Sequence, residues 1–108
     1  MIPELTNDTF ERAVTSTDLP VLVFFTSPTC THCHRMEPYV EGLAAQTQGR
    51  AVVVKVNAMA NAKTARAVGA MQLPTFLLLH RGQEFARYQG DRFPATVLGQ
   101  ALASRIGQ

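Results

Sequence analysis

The chain contains no tryptophan, only two cysteines and no run of like charge. The cysteines, Cys30 and Cys33, are three positions apart. They cannot be the framework of a disulfide-stapled secreted scaffold, because so short a loop constrains nothing beyond itself. Ten basic side chains against eight acidic ones leave a formal net charge of +2. The basic residues are scattered rather than gathered into a stripe that would track phosphates, so nucleic acid is not expected as a partner. No apolar run approaches the ~18 residues of a membrane span, so no membrane partner is expected either. The stretch MIPELTNDTFERAV carries acids early and has no apolar leader segment. The expected location is therefore the cytoplasm, or the periplasm if a leader has been trimmed away.

What is present suits one small domain. The 108 residues are 46% hydrophobic and 17% charged, enough for a real core, and no repeat, linker or low-complexity segment breaks the chain. A single domain over residues 1–108 is expected. IPEL reads as a short first strand and TNDTFERAV as a helix, with Thr6 or Asn7 as N-cap and Phe10, Ala13 and Val14 on one face. PVLVFFT (20–26) is continuously apolar, the signature of a central strand buried on both faces. After the cysteine motif, Met36, Tyr39, Val40, Leu43, Ala44 and Thr47 recur at helical spacing, with Gly49 ending the helix and Pro38 inside it. Because proline has no N–H for the carbonyl of His34, a kink is expected there. AVVVKVN (51–57) is a second buried strand, and ANAKTARAVGA a short helix closed by Gly69. TFLLLHRGQEFARYQG is a hairpin around Arg81-Gly82. FPATVLGQALASRIG is a last amphipathic helix with Val97, Leu98, Ala101, Leu102 and Ile106 inward. The order β-α-β-α-β-α-β-β-α predicts an α/β fold: a central mixed sheet of four to five strands, flanked by about four helices.

The chemistry concentrates in Cys30-Thr31-His32-Cys33-His34. The string fits a redox dithiol, the attachment site of a c-type haem, or a metal clip. It follows the first buried strand and opens the second helix, the end of a sheet strand where open α/β sheets place their sites. A thiol at or beside the N-cap meets unpaired N–H groups and the positive end of the helix dipole, so its pKa falls below the free value of about 8.5. Cys33, on the same face and inside the first turn, can close a disulfide with Cys30 and is expected to be the more buried of the two. On this reading Cys30 attacks a substrate disulfide and Cys33 resolves the mixed disulfide. His32, between them, has little room to point away and would favour the thiolate further, making the disulfide a stronger oxidant. His34 is expected to face solvent and His80 to sit at a hairpin end, neither with an assigned role. The haem alternative suits a small helical protein, not two long β runs. The metal alternative is weakened because adjacent Cys33 and His34 diverge by about 100° around a helix.

These features in sequence resemble the thioredoxin family along roughly residues 2 to 106. The resemblance is carried by PVLVFF before the motif, C-x-x-C, Pro38, Lys55 and Asn57 in VVVKVN, and LPTFLLLHRGQEFARYQG. It implies the thioredoxin fold, with Pro74 cis beside the dithiol and the backbone of Leu73 pairing with an extended substrate segment by strand addition. Thr29 and Gln89-Gly90-Asp91 would line the rest of that groove. It further implies protein disulfide substrates, a thioredoxin reductase or other redox partner, a monomer, and no cofactor beyond the Cys30–Cys33 disulfide.

The chain also departs from the family pattern. Phe24 stands where thioredoxins usually carry a buried Asp that moves a proton at the second cysteine, Thr29 where they carry Trp, and Thr31-His32 where they carry Gly-Pro. Water, Lys55 or Glu37 would have to take over from that Asp. Glu37 lies four residues after Cys33 and so can share its helical face, but it reads as a solvated surface carboxylate. Lys55, without its usual acidic neighbour, either reaches water with its amine or lies near Cys33 and stabilises a thiolate. The expected function is thiol–disulfide exchange with protein disulfides through a mixed disulfide on Cys30, with tuning by His32, Thr31 and Lys55. The alternative is a redox-inert or metal-binding module that keeps the fold. The direction of electron flow is open: His32 and the missing Asp argue for a less reducing pair, the missing leader for a reducing compartment.

Overall fold

The computed structural model describes residues 2–90 and 92–108. In chain order the elements are β1 (Glu4–Leu5), α1 (Phe10–Thr15), β2 (Pro20–Thr26), α2 (Thr31–Gln46), β3 (Val52–Asn57), α3 (Ala62–Ala67), β4 (Thr75–His80), β5 (Gln83–Gln89) and α4 (Thr96–Ala103). The five strands form one mixed sheet in the order β1-β3-β2-β4-β5. β1, β3 and β2 run parallel, while β4 lies antiparallel to both β2 and β5. This is the mixed α/β sheet that the element order predicts, arranged as the thioredoxin fold that the family resemblance implies.

Strand alternation divides the interior in two. Along β2, Leu22 and Phe24 enter a cluster with Cys33, Val40 and Leu43 of α2 and Leu98 and Leu102 of α4. Val21, Val23 and Phe25 enter the opposite cluster, with Val14 of α1 and Ala65 of α3. β4 repeats the pattern, with Phe76 and Leu78 on the first face and Leu77 and Leu79 on the second. Because successive side chains of a strand point to opposite faces, the unbroken apolar run from Pro20 to Phe25 requires helices on both sides, and both are present. Phe24 and Phe76 face each other across the β2–β4 pairing and stack with ring centroids 4.9 Å apart.

Three local expectations are corrected. The N-cap of α1 is Thr9, not Thr6 or Asn7. The carboxamide oxygen of Asn7 is used elsewhere: it accepts from the backbone N–H (3.0 Å) and hydroxyl (2.7 Å) of Thr64, in the first turn of α3. Its own N–H donates to the side chain of Asn61, the N-cap of α3. Asn7 therefore caps a helix more than fifty residues away. α2 ends at Gln46, with Thr47 as C-cap donating its N–H and hydroxyl to the Leu43 carbonyl; Gly49 lies beyond it. In α4, Leu98 and Leu102 are buried, Val97 only half-buried, and Ile106 packs on the core from beyond the helix end.

The hairpin turn places Arg81 (φ 54°) and Gly82 (φ 81°) both in the left-handed region, as a two-residue turn between right-twisted strands requires. On the outer strand, Arg87 binds both carboxylate oxygens of Glu84 (2.9 and 2.8 Å) and donates to the carbonyls of Val68 and Gly69. These bonds tie the end of α3 to the sheet edge. The Arg87 hydrogen bond holds the Glu84 carboxyl below its ordinary value of 4.5, against a smaller opposing effect of partial burial. A depressed carboxylate stabilises the fold above its unfolded-state pKa and loses that contribution as the pH falls through the folded value. Since the Glu84 side chain is 42% exposed, the expected loss in Glu84→Gln at pH 7 is below about 1 kcal/mol. Urea unfolding of the two proteins should converge as the pH drops below 4.5; an undiminished gap in acid would contradict this account.

Candidate redox site

The site begins where β2 ends. Cys30 is the N-cap of α2, with extended backbone angles, and its sulfur accepts the N–H of Cys33 at 3.2 Å. A sulfur placed there receives one of the unpaired donors of the first turn and faces the positive end of a 16-residue helix. Cys30 and Cys33 are joined by a disulfide, with their Cα atoms 5.2 Å apart. Cys30 is half-buried and Cys33 fully buried, so an incoming group meets Cys30 first. Thr31 and His32 are exposed. The exposure of His32 removes the premise that its position leaves no room to turn outward.

The loop before Cys30 is held from several sides. The Cys30 N–H donates to the Ser27 carbonyl at 3.2 Å. His34, read from sequence as a solvent-facing residue without a role, is exposed but donates from Nε2 to the Pro28 carbonyl at 2.7 Å. Because that acceptor is a carbonyl, Nε2 must carry the proton. His80 is likewise not idle: it is 7% exposed, its Nε2 donates to the Asp18 carbonyl at 3.0 Å and its Nδ1 faces Arg105. Thr29, just before the first cysteine, donates its hydroxyl to the sulfur of Met59 at 3.9 Å. Asn57 accepts the N–H groups of Met59 and Ala60 in a side-chain turn that holds Met59 outward. Met59 and Met71 are the exposed large hydrophobic residues among the described residues.

Beside this loop the chain returns through the Leu73–Pro74 peptide, which is cis. Pro74 is buried, and its carbonyl accepts the N–H of Gly90 at 2.8 Å. The Thr75 hydroxyl donates to the carbonyl of Gln72, and Leu73 packs against both cores. Thr75 pairs with Phe25 as the last partners of the β2–β4 ladder, so residues 73–74 lie at the end of the sheet that carries the dithiol. Gly90 has φ 72°, and a Cβ there would approach the Gln72 amide to 3.2 Å. Both features favour glycine at this crossing. Asp91, the remaining groove residue expected from sequence, lies outside the described residues.

Lys55 does not lack an acidic neighbour. Its Nζ is 3.9 Å from the carboxylate of Glu37 on α2, so Glu37 is a partly exposed carboxylate, as its sequence position suggests, with a cation beside it. Periodicity gave no hint of this pair, which joins a strand to a helix; only the shared face of Cys33 and Glu37 was available as a signal. Among the described residues, no group of three or more Cys, His, Asp or Glu side chains is placed to hold a metal ion.

The family model described as Thioredoxin matches residues 1–104. The chain belongs to the thioredoxin family. It is 35% identical to "Thioredoxin 1" of Nostoc sp. over 103 residues, covering 95% of both chains. It is 33% identical to the thioredoxin of Haemophilus influenzae over 97 residues, covering 90% of each. A match at 34% identity to "Protein disulfide-isomerase A3" of Gallus gallus covers 84% of this chain but 18% of that longer protein. With its Cys30–Cys33 pair bonded at the head of α2, this thioredoxin-family chain is a thiol–disulfide oxidoreductase.

If His34 anchors the dithiol loop as its bond to Pro28 indicates, His34→Ala should destabilise the oxidised protein by about 0.5–1.5 kcal/mol, the usual worth of one intramolecular hydrogen bond. Denaturant unfolding at neutral pH measures it, and an unchanged midpoint with unchanged slope would remove the anchor from the account.

Proposed function

We propose that the chain exchanges its Cys30–Cys33 pair with disulfides of client proteins through a mixed disulfide on Cys30, which Cys33 then resolves. The observation that carries this reading is the asymmetry of the pair. The half-exposed Cys30 sulfur receives a helix N–H, whereas Cys33 is sealed in the core. As a thiolate, Cys30 attacks one client sulfur; the client's other sulfur leaves and takes up a proton. Cys33 then attacks Cys30, the Cys30–Cys33 bond re-forms, and the client leaves as a second thiol. The client gains two electrons and the pair loses two, so turnover requires a reductase or another dithiol to reset it. In the opposite direction the same steps oxidise the client.

The groove for the client lies between Thr29, Leu73-Pro74 and Gly90. An extended client segment adding to the backbone of Leu73 would be held by main-chain bonds with little choice of sequence. Exposed Met59, whose sulfur accepts the Thr29 hydroxyl, and exposed Met71, two residues before Leu73, add flexible, polarizable surface of the kind that accepts varied apolar side chains.

Reduced Cys33→Ser should accumulate a client adduct on Cys30 that dithiothreitol releases, and Cys30→Ser should form none. An adduct carried by Cys33 instead would reverse the assigned roles. The helix N-terminus favours the reduced form, and an imidazole at position 32 in place of the family's proline would add to it from the solvent side, so the pair equilibrated with glutathione should titrate above the roughly −270 mV of a typical thioredoxin. His32→Pro should lower it by up to about 30 mV, a tenfold change in equilibrium constant. An unchanged potential in that variant would show that His32 does not tune the pair.

A further inference from the structure

Resolution of a mixed disulfide requires Cys33 to lose its proton, and Cys33 has no exposed surface through which to lose it. Its surroundings on the sheet side are apolar: Phe24 and Phe76 stack within the same cluster and offer no atom that could carry a proton. One helical turn after Cys33, on the same face of α2, stands Glu37. Its carboxylate side chain is 35% exposed and lies 3.9 Å from Lys55 Nζ, whose side chain is 21% exposed. Lys55 sits directly across the ladder from Phe24 on one side and from Glu4 on the other. Glu4, Glu37, Lys55 and His34 together border a pocket of about 250 Å³ beside Ser27 and Pro28 of the dithiol loop. Of these groups, His34 has Nε2 committed to Pro28. Glu4 is exposed on the two-residue edge strand β1, whereas Glu37 is on Cys33's own helix.

We propose that Glu37, positioned by Lys55, accepts the Cys33 proton during resolution and passes it to water in this pocket. The step balances as follows. The Cys33 S–H bond breaks and its proton moves to the Glu37 carboxylate, directly or through one water. The Cys33 thiolate attacks the Cys30 sulfur, the Cys30–Cys33 bond forms, and the bond from Cys30 to the client breaks. The client sulfur departs as a thiolate carrying the electron pair and is protonated by solvent, while Glu37 returns its proton to the pocket. In the reverse direction Glu37 delivers a proton to Cys33 as the disulfide opens. Lys55 is a positioning residue: its ammonium holds the carboxylate at the pocket wall. The inference rests on the mixed-disulfide reading above and adds to it the group that makes a sealed Cys33 competent.

The test follows the reduced full-length chain mixed with the aromatic disulfide dithiobis(nitrobenzoate), whose thiolate is coloured. Attack by Cys30 releases one equivalent in a concentration-dependent phase. Resolution by Cys33 releases the second in a concentration-independent phase. Glu37→Gln should leave the first phase unchanged, slow the second at pH 7 by at least about tenfold, and shift its pH profile upward; general acid–base groups typically contribute about 10²–10⁴. Glu37→Asp should recover part of the rate, Lys55→Met should lose part of it, and Glu11→Gln on α1 should match the parent. A second phase in Glu37→Gln with the parent's rate and pH profile overturns the proposal while leaving the mixed-disulfide reading intact. If Cys30→Ser retained the fast first phase, that underlying reading would fall, and this one with it.

Discussion

The double-sided burial of β2 is the constraint on which the rest depends. Pro20–Phe25 is buried at every position, flanked by β3 on one side and β4 on the other. One row of its side chains is covered by α2 and α4, and the other by α1 and α3. Removing so much apolar surface from water is worth roughly 25 cal/mol per Å², and it holds β2 in one register. The end of β2 is consequently a fixed point. The chain leaves it through Ser27 to Thr29 and enters α2 at Cys30 with little freedom in where the sulfur arrives.

That fixed point meets a second element with opposite requirements. A helix N-terminus needs acceptors for its free N–H groups, and Cys30 sulfur supplies one. The same contact that completes the helix places the sulfur in positive potential, so a structural need and a chemical one are met by one atom. The loop is closed by His34 onto Pro28 and by the buried Pro74–Gly90 crossing. Beneath it, the Phe24–Phe76 stack fills the space with carbon, and the ionisable groups are displaced to the flank, where Glu37 and Lys55 meet.

The large elements were legible because their signals are local. An unbroken apolar run cannot be solvated, so PVLVFFT had to be a central strand; Arg81-Gly82 between two strand-like runs could only be a tight hairpin. The dithiol was legible for a similar reason, since three positions of a helix bring two side chains to one face. Boundaries were less so. Asn7 looks like the cap of the helix that follows it, and only its partner Thr64, far away in sequence, draws it off to cap α3. His34 and His80 carry no pattern that separates them from ordinary surface histidines. Their roles come from the carbonyls of Pro28 and Asp18, which the fold brings to them.

By itself the sequence determined the strand and helix order, the two-faced core and the placement of a dithiol at a helix start, because hydrophobic period and short-range spacing act within a few residues of each other. Tertiary structure alone decided which charges meet. Lys55 and Glu37 belong to different elements, eighteen residues apart, and no periodicity links them. They come within 3.9 Å because β3 lies beside β2 and α2 crosses over that face. Pairings of this kind depend on the three-dimensional approach of two surfaces, a distance that is not written in the order of residues along either one.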